Sequence, residues 1–445
     1  MRHSPDRRTL PRNSGPRWTF FACRTIPAVE RACLDGRFAK CRSGRYHYHV
    51  SKGRALLVTE VFPPQTGGSG RWFWELYRRM SPQDCVIVAG EHPHQEEFDR
   101  GHGLRLHRVP LSFTTWGVGS LRGLQQYGAA AGRLARVARG ENARILHCGK
   151  CLPEGLLGWI LKRWHGLPYV CYVHGEELNL ASRSRELTWL TRRVLHGAEF
   201  AIANSRNTFQ LLRKAWGLPD ERIHVLHPGV DTKKFVAAPR NVPWRAQRGW
   251  RDRRVVLTVG RLQKRKGHDV MVRALPPIAR AVPDVLYAIV GDGEERASLG
   301  ELVDRLGLNR HVQFLGEVSD EELLRCYQQC DLFALPNRDV GGDIEGFGIV
   351  LLEAQSCGRP VVAGLSGGTG ETMQVPNTGR LVQCDSAGEL AQVVSALLTD
   401  PAQLAAMGET ARQWVVQRFD WAALTRQAAE LFGIEPSPSI GCADA

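Results

Sequence analysis

From Arg54 onward, short apolar runs recur, each closing in a Gly-rich or polar loop and each followed by a helix-length segment with apolar residues on one side. The first series of runs is Ala55–Thr59, Cys85–Ala89, Leu104–Val109, Ile145–Cys148, Tyr169–Val173, Glu199–Ala203 and Ile223–Leu226. A second series follows at Val255–Val259, Val285–Val290, Val312–Val318, Asp331–Leu335, Pro360–Ala363 and Gly379–Val382. Most of these runs lack strict apolar–polar alternation, the pattern of strands buried on both faces in a parallel sheet. Strand and helix patterns that alternate in this way predict an α/β protein of two Rossmann-like, doubly wound parallel-sheet domains. Residues 236–253 combine Pro, Arg and Gly without a clear period and separate the two series. The expected division is a basic extension at 1–53, a first domain at 54–240, a linker at 241–253 and a second domain at 254–417. A terminal helical segment at 418–435 and a loose tail at 436–445 complete it.

Composition adds modest constraints. The 445 residues suffice for two large cores, and the net charge of +14 is unevenly spread. Residues 1–53 carry +9, residues 54–245 carry +11 and residues 246–445 carry −6. A single nucleic-acid-binding surface would not require that polarity, whereas a basic first half attracts anionic lipid headgroups or anionic acceptors. No apolar run approaches the roughly 20 residues of a membrane span, and no signal-peptide pattern is present. The twelve cysteines are scattered, many inside apparent strands or helices, such as Cys85, Cys171 and Cys330. That distribution predicts reduced, buried thiols in a cytosolic protein. Cys148-Gly-Lys-Cys151 has C-x-x-C spacing but no second pair beside it. Residues 1–53 are Arg-rich without a sustained period and read as disordered. Because Val50-Ser-Lys-Gly resembles a lead-in to the first strand, the expectation is a native start near Val50 from a non-AUG codon, with the preceding segment not natural.

The candidate chemistry centres on residues 337–371, NRDVGGDIEGFGIVLLEAQSCGRPVVAGLSGGTGE. A strand ending at Pro336 leads into a Gly-rich loop, a helix expected at Phe347–Ser356, another strand and a second Gly-rich loop at Ser366–Gly370. Both loops fall on the carboxyl edge of the sheet, where such sheets bind ligands. Glu345 and Glu353 offer carboxylates that accept hydrogen bonds from vicinal diols. The backbone N–H groups of Gly346, Phe347, Gly348, Ile349 and Val350 lie at a helix start and suit phosphate or hydroxyl oxygens. Gly260-Arg261 through Lys266-Gly267 places two cations just after a strand, an arrangement able to clamp a pyrophosphate. Lys264 and Arg265 are expected to face solvent. In the first domain Gly67 and Gly68 open a helix expected to begin near Arg71, and His174 ends a strand on the ligand edge.

The E-x7-E spacing of Glu345 and Glu353, with these motifs in this order, resembles retaining glycosyltransferases of family 4, which have the GT-B fold. The similarity covers about residues 54–432 and is nearest in wording to phosphatidylinositol mannosyltransferase-like members. It implies transfer of a hexosyl unit, mannosyl or glucosyl, from a nucleotide sugar such as GDP-mannose or UDP-glucose to a lipid-linked or glycan acceptor. By that resemblance Arg261 and Lys266 bind the donor phosphates, Glu345 orients the sugar, Glu353 holds the ribose and His174 lies near the sugar. Gly67 and Gly68 lie against the donor phosphate and acceptor, Val318 holds the base, and the terminal helix crosses back onto the first domain. Where family members carry Pro-Glu after the second Gly-Gly, this chain has Gly370-Glu371, which retains Glu371 as a donor-site carboxylate. No Asp-x-Asp motif appears, so the expectation is metal-independent catalysis by same-face attack assisted by the leaving phosphate. The expected location is cytoplasmic, peripheral at the inner face of the membrane through the basic first domain, with Ser182–His196 as the contact helix and no nucleic-acid partner. Competing readings are a sugar-nucleotide epimerase of the same fold and an NAD-dependent oxidoreductase. The latter lacks its fingerprint: Gly291-Asp-Gly293 has no third glycine.

Overall fold

Runs rich in Val, Leu, Ile and Ala become inner strands whose residues are almost wholly buried, because helices cover both faces of each sheet, while the outer strands are half-buried. The structure is a computed structural model and describes residues 38–40, 46–48, 53–65 and 67–437. The first domain holds β3 (Arg54–Thr59), β4 (Cys85–Gly90), β5 (Leu106–Val109), β6 (Ala143–Cys148), β7 (Tyr169–Val173), β8 (Ala201–Ala203) and β9 (Ile223–Val225). They form one parallel sheet in the order β5-β4-β3-β6-β7-β8-β9. The second domain holds β10 (Arg254–Val259), β11 (Val285–Val290), β12 (Val312–Gly316), β13 (Leu332–Leu335), β14 (Val361–Gly364) and β15 (Gly379–Val382). These pair in parallel as β12-β11-β10-β13-β14-β15. Two doubly wound α/β domains are therefore present, as the apolar runs lead one to expect.

In each sheet the strand order reverses beside the first strand of the domain, between β3 and β6 and between β10 and β13. Loops leaving those neighbours diverge to opposite faces and open a crevice at the carboxyl edge. Both domains belong to one unit, Ser51–Ala445. The unit Met1–Val50 contains a short antiparallel pair, β1 (Phe38–Lys40) with β2 (Tyr46–Tyr48). The remainder of the expected basic extension lies outside the described residues.

Several local expectations change. The helix foreseen at Ser182–His196 is two helices, Glu176–Ser182 and Arg185–Gly197. Ser184 separates them by capping the second, its side chain accepting a hydrogen bond from Leu187 N–H. The helix after Glu345 begins at Ile349, two residues late, because Gly348 takes φ 92°, outside the helical region. The segment 241–253, foreseen as a linker, carries structure of its own. Val242–Gln247 is helical, and Trp244 and Trp250 are buried edge to face, 5.2 Å between centroids. Arg245, 1% exposed, donates to the carbonyls of Gln329, Trp250 and Arg253, which ties the segment to the second domain.

The helix Trp421–Phe432 lies against the first domain. Arg144 donates to the carbonyl of Phe432, and the Phe432 ring lies 4.4 Å from that of His147. The tail foreseen as loose from Pro436 is held at its start: Pro436 bridges Met80, and Ser437 N–H donates to Arg79 C=O. The rest of the tail lies outside the described residues. The described cysteines are free and buried, and among the described residues no helix is long and apolar enough to cross a membrane.

Candidate active site

The second domain builds its half of the site from the loops after β10 and β13, which the strand order places side by side. The first loop runs through Arg261 to a short 3-10 turn, Lys264–Lys266, and ends at Gly267 with φ 72°. A Cβ at Gly267 would overlap the carbonyl oxygen of Pro336, so glycine is what allows this turn to sit on the end of β13. Asn337, fully buried, accepts from Gly364 N–H at 3.1 Å and donates to Ser366 C=O at 3.0 Å, stitching the loop after β13 to the loop after β14. Gly368 N–H donates to Glu345 C=O at 3.0 Å, so the second Gly-rich loop rests directly on the glutamate.

Those constraints put the Glu345 carboxylate between two cations. Its Oε2 lies 2.5 Å from Lys266 Nζ and 2.7 Å from the Arg265 guanidinium. Burial pulls the Glu345 carboxyl up, but Lys266 and Arg265 outweigh burial and hold it below its ordinary value. Arg265 departs from expectation. Lys264 is exposed, whereas the Arg265 side chain is only 14% exposed and also faces Asp343 at 3.3 Å and Glu176 at 3.8 Å. Arg261 projects an exposed side chain from the same loop.

The first domain closes the other side. A Cβ on Gly346 would lie 2.6 Å from the carbonyl oxygen of His174, so the Glu345 loop passes directly beneath His174. His174 Nε2 is 2.9 Å from Gly149 C=O, and its ring meets Trp72 edge to face at 5.5 Å. Glu154, fully buried, accepts from Glu60 N–H at 2.9 Å and so fixes the start of the loop carrying Gly67 and Gly68. Burial pushes the Glu154 carboxyl up. Gly67 and Gly68 are exposed at the N-terminus of the helix Gly68–Tyr77, which begins three residues before the expected Arg71.

Two further carboxylates are engaged across the domains. Glu353 Oε1 lies 2.6 Å from Arg71 of the first domain, and Oε2 accepts from Tyr327 at 2.6 Å. Glu371 accepts from the N–H groups of Arg206 at 2.7 Å and Asn207 at 3.0 Å, and lies 3.0 Å from His227 Nε2. Glu353 and Glu371, both foreseen as donor-site carboxylates, thus each hold partners from the first domain. Phe347 is buried with its ring 5.3 Å from that of His227, Gly348 caps the helix, and Ile349 and Val350 form its first turn. Val318 follows β12, at the edge of the sheet, half-buried against the core of the second domain.

Arg71, Glu176, Arg265, Tyr327 and Asn337 were not legible as site residues. Each reaches the site through a contact between segments distant in the chain. The Arg-Lys-Gly turn itself was the one available signal for Arg265.

Comparisons with known proteins match both domains. The model described as Glycosyltransferase Family 4 matches residues 66–234, and that of Glycosyl transferases group 1 matches residues 243–414. A GDP-mannose-dependent alpha-(1-6)-phosphatidylinositol monomannoside mannosyltransferase of Mycolicibacterium smegmatis is 34% identical over 380 residues, 84% of this chain and 97% of the relative. A D-inositol 3-phosphate glycosyltransferase of Catenulispora acidiphila is 30% identical, covering 63% of this chain and 68% of that protein. Among solved structures, Anabaena HepE in complex with UDP superposes with a TM-score of 0.73 at 23% identity, over 85% of this chain and 99% of that one.

Proposed function

The chain belongs to glycosyltransferase family 4 and is a glycosyltransferase of GT-B fold, and from that premise we propose that it transfers a mannosyl, or failing that a glucosyl, unit from a nucleotide sugar to a hydroxyl of a glycolipid or glycan, with retention at the anomeric carbon. The observation that carries this reading is the meeting of Lys266, Arg265 and Glu345 at the carboxyl edge of β10 and β13, directly below His174. The mannosyltransferase relative, which the chain spans almost in full, supports a GDP-mannose donor and a phosphatidylinositol-based acceptor.

In this reading Arg261 and Lys266 offset the charge that builds on the departing diphosphate, in a site where such electrostatic help counts for most. The N–H groups of Gly348, Ile349 and Val350, at the helix start, assist. Glu345 accepts hydrogen bonds from the sugar hydroxyls, and His174 closes the site over the sugar. Glu353 takes the ribose hydroxyls once Arg71 releases its Oε1. The acceptor oxygen forms a bond to the anomeric carbon on the face the phosphate leaves. The bond from that carbon to phosphate oxygen breaks, and the acceptor proton passes to the departing phosphate.

A membrane-linked acceptor fits the first domain's surface. Trp189 is 52% exposed among Arg185, Arg192 and Arg193 on the helix Arg185–Gly197. Glu186 at the start of that helix accepts from Val118 and Gly119 N–H, which brings the exposed Leu121 and Leu124 to the same end of the domain. Apolar side chains among arginines suit the boundary of an anionic bilayer, and this surface would hold the enzyme at the cytoplasmic leaflet. The test is a thermal-shift screen of GDP-mannose, UDP-glucose and their nucleotides, followed by transfer from labelled donor to phosphatidylinositol mannoside in anionic vesicles. Stabilisation by GDP-mannose with an α-linked product is expected. If no nucleotide sugar stabilises the protein and none donates its sugar, the reading fails.

A further inference from the structure

Glu345 is 8% exposed, and its Oε2 is shared by Lys266 and Arg265. Its Oε1 accepts no hydrogen bond among the described residues. The two cations are held very differently. Among the described residues Lys266 has one carboxylate partner, reached by a flexible stem carrying a compact charge. The Arg265 guanidinium spans three carboxylates from separate segments: Glu345 and Asp343 on the loop after β13, and Glu176 at the start of a first-domain helix. Its carbonyl also accepts from Arg338 N–H at 2.8 Å, and Arg338 grips Asp269 with a two-pronged ion pair at 2.9 and 3.0 Å. Lys266 is thus free to change partners, and Arg265 is not.

The transfer reaction makes that difference matter. As a diphosphate departs, Lys266 is drawn to it and leaves Glu345. A buried carboxylate left beside a diphosphate with no cation carries a large uncompensated charge, which favours its protonation or its withdrawal from the site. Resting on the reaction proposed above, we propose that Arg265 is the positioning residue that keeps Glu345 ionised and aimed, through Oε1, at the hydroxyls of the transferred sugar while Lys266 turns to the leaving diphosphate. Arg265 itself touches neither sugar nor phosphate.

Steady-state kinetics on the full chain test this with Arg265→Gln, Arg265→Lys, Glu345→Gln and the Arg265→Gln/Glu345→Gln double variant. Arg265→Gln is expected to lower kcat about tenfold or more with the donor KM little changed, the pattern of an interaction felt in the transition state. Arg265→Lys restores part of the loss. Because Arg265 acts through Glu345, the double variant matches Glu345→Gln alone, whereas independent roles would multiply their losses. The acidic limb of the pH–rate profile moves to higher pH in Arg265→Gln, since Glu345 then has Lys266 alone against the nearby Asp343 and Glu176. Wild-type kcat in Arg265→Gln, an unmoved acidic limb, or multiplied losses in the double variant would overturn the inference and leave the transfer reaction standing. A wild-type enzyme that transfers from no nucleotide sugar would instead overturn the reaction and the inference together.

Discussion

Arg71 in the first domain and Glu353 in the second meet at 2.6 Å, and the guanidinium also lies over the Phe235 ring at 5.2 Å. Glu353 is 1% exposed, and the Arg71 pKa is raised, Glu353 being the main cause. Removing the arginine leaves a buried carboxylate with Tyr327 as its remaining partner. Breaking a fully buried pair costs about 3–5 kcal/mol. The Arg71 side chain is 35% exposed and partly screened, so Arg71→Ala is expected to cost about 1–3 kcal/mol, measured by urea unfolding. GDP should also bind this variant more tightly, by titration calorimetry, because Glu353 Oε1 is freed for ribose. Unchanged or weaker GDP binding would remove Glu353 from the ribose site.

Lys266→Ala is expected to lower turnover by about 100-fold or more, the scale of losing one transition-state donor, in a protein that remains folded. Glu345→Gln should be almost inactive on a hydroxyl-bearing donor. Wild-type rates in either variant, read by donor consumption, would take that residue out of the reaction.

Glu371 ties the loop after β14 to the first domain. Burial raises its carboxyl, but His227 and the N–H groups of Arg206 and Asn207 hold it below the ordinary value. A depressed folded pKa contributes stability that is complete above the unfolded value of about 4.3 and is lost as pH falls through the folded one. Wild-type protein should therefore lose stability more steeply than Glu371→Gln between about pH 5 and 3. Parallel stability curves in chemical denaturation would show that the contact contributes nothing.

Two buried histidines act in a higher window. Burial lowers His147 to about 3 and His268 to about 4, and each ring nitrogen Nδ1 meets a tyrosine hydroxyl, Tyr77 at 2.7 Å and Tyr287 at 3.0 Å. Below the unfolded value of about 6.5 the unfolded chain takes up protons that the folded one refuses, so stability falls with pH. From pH 7 to 5 each histidine should remove about 2 kcal/mol. A flat unfolding free energy across that range would mean that the rings protonate in place.

Much of the architecture was legible because burial on both faces of a parallel strand leaves a local mark. Val255–Val259 and Asp331–Leu335 announce themselves as apolar runs, and the loops after them fall on one edge whatever the details. The place of Lys266 and Glu345 on that loop edge was readable in the same way, since each sits at a set distance from a strand end. The helix start was misplaced by two residues because it depends on the backbone angle at Gly348, which a Gly-rich string leaves open.

What the sequence determined by itself was the order of strands and helices, the edge bearing the loops and the residue types offered there. Only the tertiary structure decided which of those groups meet. Arg265 belongs with Glu345 rather than with solvent because β10 and β13 are neighbours, a fact of strand order. Arg71 reaches Glu353, and Glu371 reaches Arg206, because the two domains face one another. Apolar periodicity is repeated along many residues and survives in one dimension. An ion pair depends on two side chains and the path of everything between them, and leaves no such trace.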